Sequence, residues 1–420
     1  MHQTEADRWG ERLPRRLGLA SAVAVLVGTT IGSGIFRTPA VVADRVDLVA
    51  LFVAGWILGG VLALAGALTY AELAAMFPRT GGIYVYIREA FGHLPAFLFG
   101  WAELLVIRPA ALGAIAIVAG EYFWRLLGVD GAVRPGSFPL SLAQATAAVF
   151  IVVVGVVNYR GVQVAAVVQN VSTVLKVGAL LSLVALGLAL EPRYALEREA
   201  VAGAALSPIA GFGLALVSIM WAYDGWADLS FVSGEVRDPQ RNLPRALFLG
   251  TAGVILVYLA VNAVYLKLVP LARMPGSPLI AADVAYIILG GAGVAFVSAA
   301  VMVSAFGSLN GSMMVGPRIF YAMAEDRLFF PQLASVHPRF GTPGGAIILA
   351  GALGVAYVSL RNFAELADQF IIGIWPFYAL GVAATFVLRR RRPDAERPYR
   401  TSGYPVVPLL FLLSAVFLLG

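Results

Sequence analysis

Two stretches of this sequence interrupt long apolar runs with residues that a plain membrane helix does not call for. Gly28-Thr29-Thr30-Ile31-Gly32-Ser33-Gly34 puts three glycines inside an uncharged run, and Ala222-Tyr223-Asp224-Gly225-Trp226 puts an acid and a glycine inside another. Each interior glycine disfavours helix by about 1 kcal/mol relative to alanine. A backbone group freed in hydrocarbon must find a partner, so such breaks are confined to places beside protein or a wet cavity. The chemistry this offers is ion binding by the backbone. A half-helix beginning near Ser33 and Gly34 aims unpaired N–H groups and a positive dipole end at an anion, while carbonyls near Thr30, Trp221 and Asp224 suit a cation. A zwitterion fits both ends at once. Glycines also let helices pack closely in membranes, and these stretches alone leave both uses open.

Two further groups carry charge or hydroxyls where apolar residues are the rule. Lys176, one of only two lysines, lies inside the apolar run 161–190; a buried ammonium is costly there and is functional by default. Ser304, Ser308 and Ser312 are spaced four apart, which sets three hydroxyls on one helix face. Asp224 at a mid-membrane break could hold a cationic side chain, orient freed N–H groups or shuttle a proton, and the sequence does not separate these. Glu103 and Arg108 are five apart on one helix, a spacing poorly placed for pairing with each other, so each is expected to pair with neighbouring helices.

The elements that must position these residues are membrane helices. With 60% hydrophobic and 13% charged residues, the chain is not a soluble globular protein, and its long continuous runs exclude the alternating pattern of an outer-membrane barrel. Apolar windows predict eleven spans near 17–43, 48–77, 94–124, 139–158, 161–190, 206–235, 243–269, 290–323, 344–360, 363–388 and 403–420. The polar start, 1–16, with Arg8, Arg12, Arg15 and Arg16, reads as a cytoplasmic tail and not as a signal peptide. Of the thirty Lys and Arg residues, nineteen fall on the side of the N-terminus and eight on the other, with Arg37, Arg108 and Lys176 left inside spans. That bias puts the N-terminus in the cytoplasm, and it places arginines in loops rather than on a nucleic-acid surface. The absence of cysteine rules out a disulfide-linked partner subunit and thiolate metal sites.

Both breaks fall near the middle of their spans, at similar depth. Five helices separate the start of one from the start of the other, and an odd number reverses orientation. The expected organisation is therefore two inverted five-helix repeats, 17–190 and 206–388, with the site between them at the midplane. An Arg-rich cytoplasmic loop, 389–402, and an eleventh span, 403–420, follow. Residues 270–289, with Pro270, Pro275 and Pro278, are a candidate lid on the far side.

The motifs together resemble the L-type amino acid transporters of the amino acid, polyamine and organocation superfamily. Gly28 to Phe36 is similar to that family's broken first helix. Tyr70-Ala71-Glu72-Leu73 with Pro78 to Tyr86 is similar to its second helix and loop, and Trp101-Ala102-Glu103-Leu104-Leu105-Val106-Ile107-Arg108-Pro109 to its third. Trp221 to Trp226 with Asp238-Pro239-Gln240-Arg241-Asn242-Leu243-Pro244 resembles its sixth helix and following loop, and Asn310-Gly311-Ser312 with Arg318 to Arg327 its eighth. The resemblance implies a LeuT-type inverted-repeat fold in the cell membrane that moves amino acids by alternating access, as a sodium-independent exchanger without cofactor or metal. It further implies that Lys176, with Ser304 and Ser308, stands in for a sodium ion. Substrate would be held by Thr30, Ile31, Gly32, Ser33, Gly34, Trp221, Tyr223 and Asp224, with Trp221 as a gate. Two departures stand out: the chain ends at Gly420 after the eleventh span where relatives have twelve, and Ala227-Asp228 replaces a common Asn after the second Trp.

Other classes fit less well. A proton-coupled amino acid or amine symporter shares the fold. An intramembrane enzyme would need a Gly-x-Gly-Asp partner for Tyr223-Asp224 or a His-Glu-x-x-His zinc motif, and neither occurs; His2, His93 and His337 lie outside the expected spans. A channel would need a carbonyl filter or a charged ring.

Overall fold

The computed structural model describes residues 13–136, 139–191, 207–277 and 280–419, so Arg8, Arg12, Arg193, Arg198 and Pro278 lie outside the described residues. The described chain is helical from end to end. In order the helices are α1 Leu19–Thr30, α2 Gly34–Ala43, α3 Val49–Met76, α4 Ile83–Phe91, α5 His93–Ala102, α6 Arg108–Leu126, α7 Leu142–Tyr159 and α8 Val162–Ala189. They continue with α9 Pro208–Tyr223, α10 Pro239–Leu268, α11 Ile280–Leu289, α12 Gly291–Glu325, α13 Gly344–Leu360, α14 Phe363–Arg391 and α15 Val406–Leu419.

Eight stretches among the described residues are long and apolar enough to cross a membrane, and the bent pair α1–α2 makes a ninth. The remaining two expected spans are present as shorter apolar helices, α13 with 17 residues and α15 with 14. At 1.5 Å per residue α13 still reaches about 25 Å, close to the hydrocarbon thickness. Large apolar side chains that stay exposed, such as Val149, Val152 and Val156 on α7, Val167, Val171 and Val174 on α8, and Leu413 and Val416 on α15, form apolar faces suited to a lipid surrounding. The protein is an integral membrane protein.

The helix ends follow local chemistry. Ser141 and Gln144 close a reciprocal capping box at the start of α7, and Asn362 and Glu365 another at the start of α14. The span 93–126 is α5 and α6 joined through a π-helical turn, Glu103–Ile107. The candidate lid is a 3-10 turn, Leu271–Gly276, followed by α11, and it packs against α2 and α12.

The face of the bundle that carries the N-terminal segment is tied shut. Arg16 and Leu17 donate their N–H groups to the Glu235 carbonyl (2.8 and 2.9 Å), and Arg237 N–H returns to the Leu17 carbonyl (2.8 Å). The Glu235 carboxylate pairs with Arg318 at 2.8 Å, both side chains fully buried. Tyr84 (2.8 Å) and Arg88 (2.7 Å) hold Asp326. The Arg-rich loop is also bound: Arg389, Arg397 and the Thr401 N–H converge on Glu72 of α3, at 2.6, 3.4 and 2.7 Å.

Candidate functional site

α1 stops where its own side chains compete for its carbonyls. Thr29 Oγ1 donates to the carbonyls of Val25 and Leu26 (both 3.0 Å), and Thr30 Oγ1 to that of Leu26 (2.9 Å). Ile31, Gly32 and Ser33 are non-helical, and α2 restarts at an angle of 40°. No side chain caps α2. The first N–H groups of a helix have no acceptor within it; Phe36 N–H turns back to Ser33 O (3.2 Å), which leaves those of Ser33 and Gly34 at the gap.

α9 ends in the same place. Asp224 is extended and Gly225 has φ +108°, a conformation that favours glycine. A Cβ on Gly225 would lie 2.8 Å from Thr30 N, so the two breaks touch through backbone. Tyr258 of α10, which sequence reasoning did not single out, joins them: its hydroxyl lies 3.0 Å from both the Thr30 and the Ala222 carbonyl. Because Gly32 N–H also donates to Thr30 O (2.8 Å), that carbonyl has both lone pairs engaged. Tyr258→Phe should therefore leave the protein inserted but lower its thermal stability by about 1 to 3 kcal/mol and slow its transport severalfold. A variant matching the wild type in both thermal unfolding and transport would show that the bridge is dispensable.

Around the gap lies a small cavity of about 60 Å³, lined among others by Thr30, Gly32, Ser33, Gly34, Trp221 and Asp224. Not every expected substrate residue reaches it. Ile31 is fully buried away from it and contributes its carbonyl elsewhere. Tyr223 turns toward α3, donating its hydroxyl to the Trp56 carbonyl (3.2 Å) with its ring packed on Trp56 and Tyr258. The helical phase decides this: Trp221 and Tyr223 are two residues apart, hence on different faces of α9. Gly34 lines the cavity at a close approach of α2 and α9. A Cβ there would sit 2.8 Å from Ala222 Cα, so it would push α2 and α9 apart.

Lys176 forms the densest polar junction. Its ammonium donates to the carbonyls of Gly28 (2.9 Å), Ile31 (2.7 Å) and Ser304 (2.8 Å), with Ser308 Oγ at 3.2 Å. Ser304 Oγ (3.0 Å) donates to Ile31 O, and Ser308 Oγ (2.9 Å) to Gly28 O. Every oxygen around Nζ accepts, and three of the four are backbone carbonyls, from α1, the break that follows it and α12, as a bound cation would require. The third serine, Ser312, accepts instead from Arg108 (3.0 Å).

Glu103 and Arg108 do pair, contrary to the expectation from spacing, at 3.2 and 3.3 Å between buried side chains. The π-helical turn between them adds the extra residue that brings positions five apart onto one face, a distortion frequent at functional sites. Both line the cavity, as do Asp224 and Asp228, so three carboxylates face one guanidinium. Asp224 accepts from the Tyr378 hydroxyl at 2.7 Å.

Trp221, Ser33 and Gly34 line a second space as well, a vestibule that leads from the cavity toward the face opposite the N-terminal segment. The Trp221 ring, which lines both spaces, meets Phe370 of the cavity wall edge-on at 5.4 Å.

The amino acid permease family profile matches residues 17–420. The chain is 32% identical over 418 residues to the serine/threonine exchanger SteT of Bacillus subtilis (strain 168), covering 97% of this chain and 91% of that protein. It is 32% identical to the human b(0,+)-type amino acid transporter 1, over 97% of this chain and 82% of that one. The same identity relates it to the human cystine/glutamate transporter, over 97% and 80%.

Proposed function

The chain belongs to the amino acid permease family, and from that premise we propose that it exchanges amino acids across the cell membrane by alternating access, without sodium. The observation that carries this reading is the Lys176 ammonium, which bonds to α1, the following break and α12 where a transporter driven by a metal cation would need that cation. Substrate carboxylate is bound by the N–H groups of Ser33 and Gly34. The ammonium sits at the other end of the gap, beside Asp224 and the carbonyls of Trp221 and its neighbours, since Thr30 O is already engaged. Trp221 swings over bound substrate as the gate, and the repeats 17–190 and 206–388 rock against each other around it. The N-terminal face is cytoplasmic, because nineteen of thirty Lys and Arg lie on that side. Three carboxylates against one guanidinium favour basic and neutral side chains over acidic ones.

Counterflow of labelled amino acids into loaded liposomes tests the reading. Exchange should persist with sodium replaced by choline, and lysine or serine should compete better than glutamate. Amino acid amides and amine-free carboxylic acids should compete poorly, because each lacks one end of the zwitterion. If either competes as well as the intact amino acid, the backbone site is wrong. The cavity's carboxylates also suit a proton-coupled symporter; accumulation driven by a pH gradient, with no amino acid on the opposite side, would favour that mechanism.

A further inference from the structure

Arg37 lies on α2 three residues beyond Gly34, one turn of about 5 Å further from the gap. Its Nη1 is buried and has no hydrogen-bond partner among the described residues. The guanidinium carbon lies 5.0 Å from the Phe363 ring centroid. The side chain lines two spaces at once. One is the vestibule, which also holds Asp44 and Arg45; the other is a side pocket of about 450 Å³, whose titratable groups are Glu121, Tyr122, Arg125 and Asp130. Glu121 is near enough to feel the charge of Arg37, but no ion pair between them occurs among the described residues. Arg45, by contrast, is committed, donating to the Leu214 carbonyl and to Ser218 Oγ (2.7 Å).

A buried guanidinium donor without an acceptor is costly, and this one lines the same vestibule as Ser33 and Gly34 at the start of α2. We propose that Arg37 is an outer binding station for the α-carboxylate of the incoming amino acid, which pairs with the guanidinium in the vestibule before moving one turn inward past Trp221. The inference rests on the amino acid exchange reading and adds to it a second, sided site. A guanidinium matches a carboxylate with two parallel N–H donors. The Phe363 face supports the cation at 5.0 Å.

The test compares half-saturating concentrations measured from each face in right-side-out and inside-out membrane vesicles. Arg37→Gln should raise the value at the outer face about tenfold, the loss of a charge-assisted hydrogen bond, leaving the cytoplasmic value and the maximal exchange rate unchanged. Arg37→Lys should stay near the wild type. In the wild type itself, the outer value should rise with ionic strength and the cytoplasmic value should not; this holds as a test even if Arg37→Gln fails to insert. An outer value unaffected by Arg37→Gln, an equal rise at both faces, or no sided salt dependence would overturn the proposal. Wild-type exchange would in those cases still stand, whereas vesicles with no amino acid exchange at all would instead refute the reading beneath it.

Discussion

Lys176→Ala is expected to slow exchange by at least about a hundredfold while the protein still inserts in the membrane. The ammonium is bonded at once to the end of α1, to the segment that breaks it and to α12. Removing it leaves Gly28 O and Ile31 O with only serine hydroxyls as side-chain donors. Each lost hydrogen bond to a buried charged group costs about 1.5 to 3 kcal/mol, and two of them correspond to about a hundredfold or more in an equilibrium. The loss falls on transport because α1 must keep its register against α8 and α12 while the gate side moves. Lys176→Met, which retains bulk but not the donors, should fail to the same degree. Counterflow at matched protein levels measures both variants; exchange at the wild-type rate by either would remove Lys176 from the mechanism.

Gly225→Ala should be nearly as severe, through stability as well as transport. The backbone there sits at φ +108°, which costs a side-chain-bearing residue about 1 to 3 kcal/mol. In addition the new methyl would meet Thr30 N at 2.8 Å and Thr30 Cα at 2.9 Å, backbone atoms of the facing break that cannot step aside like a flexible side chain. The two broken ends must separate, and the Tyr258 hydroxyl cannot then reach both carbonyls. Thermal unfolding in detergent should shift down by about 3 kcal/mol or more, the sum of strain and overpacking, and exchange should fall below a tenth of wild type. Gly178→Ala on α8 is the control. Nothing lies within 4 Å of its added Cβ, and replacing a mid-helix glycine by alanine gains about 1 kcal/mol of helix propensity. If Gly225→Ala matched that control, contact between the two breaks would not be needed for function.

Much of this protein is legible in the chain without its fold. Membrane helices must be about 20 residues long and apolar, so composition and windows alone place the spans, and arginine counts bias their orientation. The breaks at residues 31–33 and 224–225 are written as glycines and an acid where hydrocarbon forbids them. Lys176 is conspicuous because an ammonium in a span is rare. What the chain does not contain is the set of partners that each such residue meets across the bundle.

That set was decided by tertiary structure. Tyr258 looks like any aromatic of an apolar helix, and its role depends on two carbonyls that are 228 and 36 residues away in sequence. Trp221 and Tyr223 read alike in the motif, yet helical phase turns one to the cavity and the other to Trp56. Glu103 and Arg108 seem mispaired until a π-helical turn, which has no fixed sequence signature, brings them together. Arg37 reads only as a charge inside a span; that its Nη1 lacks a partner depends on where Phe363 and Glu121 come to lie. The physical reason is common to all four. Hydrophobic pattern fixes which residues enter the membrane, but hydrogen bonds and ion pairs are short-ranged and directional, so their pairing exists only once the helices have packed.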